Sequence, residues 1–127
     1  MRKKWLVWLG YLLLIPSILF NLWQKSNNEP QRETYLVTDI YDGDSFKVDN
    51  QMILRMFNID APEKELCGGK EAKQLLTDLI FNKRVSIHAY SHDVYRRLLV
   101  DVFLDGKSIE EKLIVSGWVE YVHGGEN

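Results

Sequence analysis

The sequence predicts a β-rich α+β fold, a small barrel of five short strands with two helices, carried behind an N-terminal membrane-spanning segment. Three observations lead there. Trp5 to Trp23 is a run of 19 residues without a charge, directly behind Arg2, Lys3 and Lys4. From Tyr35 onward, short runs of alternating apolar residues are separated by turn residues, the pattern of half-buried strands. Two stretches replace that alternation with helical spacing, one after the third strand and one after the fifth.

The apolar run is long enough to span a bilayer: at about 1.5 Å per residue, 19 helical residues cover roughly 28 Å. Trp5, Trp8 and Trp23 lie towards its ends, where tryptophan favours the membrane interface, and Pro16 kinks such a helix without forbidding it. A retained signal anchor is preferred over a cleaved signal peptide, because the apolar region is long and no small-residue cleavage pattern follows. The basic cluster then stays in the cytoplasm and the remaining domain lies outside it, periplasmic or extracellular, or secreted if the segment is cleaved. Residues 1–25 are therefore the anchor or signal peptide. Residues 26–33 are polar and lack apolar periodicity, as a linker does, and residues 34–127 form the folded domain.

Within that domain Tyr35 to Ile40 is the first strand. Asp42-Gly43 is a turn dipeptide in which glycine is expected to supply a positive φ. Phe46 and Val48 alternate with Ser45 and Lys47 as a second strand, and after a turn at Asn50-Gln51 the run Ile53 to Ile59 returns as a third. Ala72, Leu75, Leu76, Leu79 and Ile80 recur at helical spacing beyond a loop containing Gly68-Gly69. Val85, Ile87 and Ala89 alternate as a fourth strand, and Leu98 to Leu104 form a fifth, ended by Asp105-Gly106. Ser108 with Glu111 makes a capping box for a short helix that stops at Gly117, and Trp118 to Val122 add a last extended piece. This order fits a five-stranded Greek-key barrel of the oligonucleotide-binding (OB) type.

The stretch Tyr41 to Glu63 concentrates Asp42, Asp44, Arg55, Asp60 and Glu63. Asp44 opens the middle strand and Asp60 follows the third, so the meander brings both carboxylates to one rim. Converging carboxylates are costly without a cation between them, and oxygen donors of this kind suit a hard divalent ion such as Ca²⁺. Asp42 alone is explained by its turn. An arginine on a strand and a glutamate just past Pro62 are not. His88 and His92 read as surface residues, since no partner stands at ligand spacing.

Asp42-Gly43-Asp44-Ser45, Arg55, Asp60-Ala61-Pro62-Glu63 and the downstream Tyr95-Arg96-Arg97 together resemble the staphylococcal nuclease (thermonuclease) family, over about residues 34 to 122. The resemblance implies a Ca²⁺-dependent phosphodiesterase that cleaves DNA and RNA and leaves 3′-phosphates. It implies Asp44, Asp60 and the Ala61 carbonyl as metal ligands, and Arg55, Glu63 and Arg97 as catalytic groups. Asp42 would stand behind the ligands and Tyr95 would touch the substrate. Two departures stand out: Ala61 replaces a threonine, keeping the carbonyl, and Arg96 replaces a glycine, which bears on which arginine faces the substrate.

Composition narrows the alternatives. Arg2, Lys3, Lys4 and Lys25 precede residue 26 and no acid does, leaving 12 basic against 18 acidic side chains in residues 26–127, a balance of −6. A general polyanion binder would be basic, so phosphate recognition must be local. Cys67 is the only cysteine, which excludes an internal disulfide. The competing function is a membrane-tethered OB-fold module that binds nucleic acid or protein with weak or no catalysis. It makes no demand on Arg55 or Glu63. Nothing in the sequence points to oligomerisation.

Overall fold

The computed structural model describes residues 15–21 and 32–123. They belong to two separate units. In the first, residues 15–21 are helical (α1), with Ile15, Ile18, Leu19 and Phe20 each more than half exposed. Among the described residues no helix is long and apolar enough to cross a membrane. The span expected over Trp5 to Trp23 lies outside the described residues except at 15–21, and the 26–33 linker except at Arg32 and Glu33.

The second unit runs β1 (Thr34–Ile40), β2 (Ser45–Val48), β3 (Ile53–Met56), β4 (Ile59–Asp60), α2 (Gly69–Ile80), β5 (Arg84–His92), β6 (Leu98–Leu104), β7 (Lys107–Ser108), α3 (Ile109–Ser116) and β8 (Glu120–Tyr121). Its six-stranded sheet has the order β3-β2-β1-β5-β6-β7, and β3 also pairs in parallel with β6, so the sheet curls back on itself. The five expected main strands are all present. β3 ends at Met56, three residues short of the expected Ile59. Beyond it Phe57 keeps only an amide bond to the Val100 carbonyl (3.0 Å), and Ile59–Asp60 leave to pair with β8.

Register follows from alternation. Phe46 faces Leu54 and Leu54 faces Leu98, and all three point towards the core, with Phe46 and Leu54 fully buried. The intervening positions Ser45, Arg55 and Leu99 are paired with one another on the other face. That parity aims Arg55 away from the core, where a one-residue slip would bury it. On α2, Ala72, Leu76 and Ile80 recur every four residues and are fully buried against the barrel. Burial of each large side chain is worth about 1.5–3 kcal/mol. Ser108 Oγ accepts the Glu111 amide (3.3 Å) at the start of α3, and Gly117 stops the helix at φ +78.

Gly43 is needed for space and not for the positive φ expected of it, since it lies outside the left-handed region. A Cβ there would stand 2.6 Å from Ala72 Cβ and 2.8 Å from Ala61 Cβ. The Asp42–Asp44 turn is thus wedged between α2 and the segment after β4. Gly69 is tighter still: its Cβ would meet the Glu63 carbonyl oxygen at 1.9 Å. Because the obstacle is backbone, Gly69→Ala is expected to cost about 1–3 kcal/mol or more and to push the Glu63 loop outward. A denaturation midpoint equal to wild type would contradict that contact.

Candidate active site

Asp44 sits at the mouth of β2, 4% exposed, and gathers its neighbours. Its amide donates to Asp42 Oδ1 (3.1 Å), which fixes the turn. Its Oδ1 accepts from Ser45 Oγ (2.9 Å), and its Oδ2 accepts from the Ala61 amide (2.8 Å). The Arg55 guanidinium bridges two carboxylates, with Nη1 against Asp44 Oδ2 and Nη2 donating to Asp60 Oδ1 (2.8 Å). Nη1 is buried, and its partner there is the Asp44 carboxylate of that ion pair.

Burial, and then the neighbouring Asp42 carboxyl, push the Asp44 carboxyl above its usual range, while Arg55 and the Ala61 amide pull it down. For Arg55, burial disfavours the charge, but Asp44 and Asp60 outweigh it and hold the guanidinium more firmly protonated. Net negative charge is therefore in excess around Asp44, with one guanidinium shared between two carboxylates.

Arg97 reaches the same place from the β5–β6 hairpin. Its Nε donates to Asp93 Oδ2 (2.7 Å) and its Nη1 approaches Ser45 Oγ (3.4 Å), the hydroxyl that also holds Asp44. Asp93 Oδ1 in turn accepts the amides of Tyr95 and Arg97, both at 2.9 Å, which closes the hairpin turn. Burial works against the charged Asp93 carboxylate, yet the Arg97 and Tyr95 amides and the Arg97 side chain keep it below the usual carboxylate range. Arg96 occupies the left-handed region at φ +63 and is exposed. The arginine thus adopts the conformation that favours glycine, at a cost of order 1–3 kcal/mol, and the hairpin keeps its register. The Tyr95 ring, 77% exposed, lies 5.4 Å from the Arg97 guanidinium.

Arg55, Phe57, Asp93, Tyr95, Arg97 and His123 help to line one cleft of about 360 Å³. Asp44 and Asp60, both paired with Arg55, are not among its walls. Glu63 is exposed in the β4–α2 loop, and its carboxylate has no partner among the described residues. The sequence residues brought into one network are thus Asp42, Asp44, Arg55, Asp60, Ala61 and, through Ser45, Arg97. Glu63 stands outside it, and Tyr95 touches it through its ring on Arg97 and its amide on Asp93.

The donors fit a hard cation in chemistry: two carboxylates converge on one positive charge, and a third, Asp42, adds to the negative charge at Asp44. Oxygen donors of this kind suit Ca²⁺. In position Arg55 takes the place between Asp44 and Asp60, and among the described residues no three His, Cys, Asp or Glu side chains are grouped to hold a metal. As the side chains stand, the guanidinium and not an ion neutralises Asp44 and Asp60. Sequence reading missed Ser45 as the link between Asp44 and Arg97. A serine at a strand start carries no signal, though its place beside Asp44 could have raised the question.

A family model described as staphylococcal nuclease homologue matches residues 53–125. An uncharacterized endonuclease of Haemophilus influenzae is 29% identical over 109 residues, 83% of this chain and 61% of that protein. The probable staphylococcal-like nuclease CAN1 of Oryza sativa subsp. japonica is 34% identical over 64 residues, 50% of this chain and 19% of that protein. An uncharacterized 38.1 kDa protein of Capnoides sempervirens is 38% identical over 64 residues, again 50% of this chain and 19% of the relative. The chain thus spans about a fifth of the length of these plant relatives.

Proposed function

Because the chain belongs to the staphylococcal nuclease homologue family, we propose that it is a nuclease, a Ca²⁺-dependent phosphodiester hydrolase that acts on DNA and RNA and leaves 3′-phosphates. The observation that carries this reading is the pair of arginines in one cleft, Arg55 tied to Asp44 directly and Arg97 tied to it through Ser45. A binding module would not need two guanidinium groups tethered to one buried carboxylate.

A phosphodiester carries a negative charge that repels an incoming nucleophile, so hydrolysis needs charge neutralisation, a placed water and help for the leaving oxygen. Arg55 and Arg97 supply forked donors to the phosphate oxygens, with Arg97 on the side of the departing 5′ oxygen. Asp93 and Ser45 keep the Arg97 side chain extended into the cleft. Asp44, Asp60 and the Ala61 carbonyl would hold Ca²⁺, and the ion would supply neutralisation of the phosphate charge there. Glu63, exposed and unpartnered, is free to orient or deprotonate the attacking water. Asp42 fixes the turn that presents Asp44, and Tyr95 contacts the substrate.

The same proposal places the domain outside the cytoplasm on a retained anchor, supported by the uncharged run from Trp5 to Trp23 behind three basic residues. Activity is tested with the full-length chain and a labelled single-stranded oligonucleotide, with Ca²⁺ or with a chelator. Cleavage is expected only with Ca²⁺. Folded protein that cleaves in neither condition overturns the nuclease reading.

A further inference from the structure

The barrel face that carries Arg55 continues away from the cleft as a row of rings. Phe57, two residues past Arg55, lines the cleft and stacks on Tyr90 with centroids 4.5 Å apart and planes at 30°. His88, on the same strand as Tyr90, meets that ring edge-on at 4.9 Å and 81°. Tyr90 is anchored: its hydroxyl donates to Asp101 Oδ2 (2.5 Å), while Asp101 Oδ1 accepts from Asn58 (3.0 Å). The Asp101 bond, before burial, pushes the Tyr90 phenol up to about 12, so it remains a neutral donor. Tyr90 is nevertheless 46% exposed.

Cross-strand ring pairs commonly serve only to stabilise a sheet. Two features ask for more here. The row starts at a wall of the cleft, so a strand whose phosphate lies between Arg55 and Arg97 must pass over it or turn away from it. Moreover, residues 26–127 carry a balance of −6, so little affinity is available from general attraction to phosphates. Stacking on aromatic rings needs no positive charge and accepts any base.

We infer that Phe57, Tyr90 and His88 form a stacking platform for unpaired bases of single-stranded nucleic acid next to the scissile phosphate, an inference that rests on the nuclease reading. Arg55 to Phe57 is about 7 Å along an extended chain, on the order of one nucleotide, and Tyr90 lies one ring further. Bases in a duplex are already stacked and paired and cannot use it. The platform therefore favours single strands of more than two nucleotides.

The test compares a dinucleotide with an octanucleotide on the full-length chain, wild type, Tyr90→Leu and Tyr90→Phe, with binding of the octanucleotide followed by fluorescence anisotropy in chelator. Tyr90→Leu is expected to raise KM for the octanucleotide at least about fivefold with kcat kept, to weaken its binding equally, and to leave the dinucleotide unchanged. Tyr90→Phe keeps the ring and should stay within about twofold of wild type. Equal losses on both substrates would mean a structural role only, and no loss on the octanucleotide would mean no platform. Either result overturns the inference. If wild type cleaves neither substrate, the nuclease reading fails, and the anisotropy comparison alone decides whether the platform binds.

Discussion

Arg97→Ala is expected to lower kcat by about 10²- to 10³-fold, the usual cost of removing one preorganised donor aimed at developing charge. Arg96→Ala is expected to keep kcat and to change KM and its salt dependence. Each variant removes one guanidinium charge, so the loss of long-range attraction is similar for the two. What separates them is where they point. Arg97 lines the cleft, is held by Asp93 at 2.7 Å and reaches Ser45 at 3.4 Å, whereas Arg96 is exposed on the hairpin tip at φ +63. Steady-state kinetics across a salt series checks both variants. An inactive Arg96→Ala beside an active Arg97→Ala would reverse the assignment of the two arginines.

The second large effect lies away from the cleft, at Glu110. This carboxylate is 6% exposed, accepts the Val102 amide at 2.7 Å and Ser108 Oγ at 3.0 Å, and joins α3 to β6. Burial pushes it up to about 7, against the pull of those hydrogen bonds. Its folded value is thus raised above its unfolded one, so the stability it contributes is fully present below about pH 4.5 and is lost as the pH rises through about 7. Glu110→Gln keeps an acceptor for the Val102 amide and mimics the protonated form. It should match wild type near pH 4.5 and exceed it at pH 8 by on the order of 3 kcal/mol. Denaturant unfolding at the two pH values checks this, and a constant difference between the proteins at both would show that Glu110 does not titrate in that window.

The legible parts of this molecule are those written in local pattern. The alternation of Phe46 and Val48 with Ser45 and Lys47, and the return of Ile53 to Ile59, gave away the meander, while the pairing of Ser45 with Arg55 came from the structure. The i, i+4, i+8 spacing of Ala72, Leu76 and Ile80 marked α2 in the same way. Parts decided by distant contacts were not legible. Gly43 reads as a turn glycine, and only the approach of Ala72, 29 residues later, shows that space is the requirement. The end of β3 at Met56 depends on β8 capturing Ile59–Asp60, a pairing across some 60 residues. Arg55 was expected to meet phosphate, and its bridge between Asp44 and Asp60 follows from the register that sets Arg55 opposite Ser45, beside Asp44.

In the proposed reaction, water attacks a phosphodiester held by Arg55 and Arg97, and the 5′ oxygen leaves. Cleavage of a single-stranded oligonucleotide with Ca²⁺ in ¹⁸O-enriched water, read by mass spectrometry of the two new ends, tests that reaction directly. The expected products are a free 5′-hydroxyl and a 3′-phosphate carrying one heavy oxygen. A 5′-phosphate bearing the label beside a 3′-hydroxyl would contradict the proposed direction of attack and the place given to Arg97.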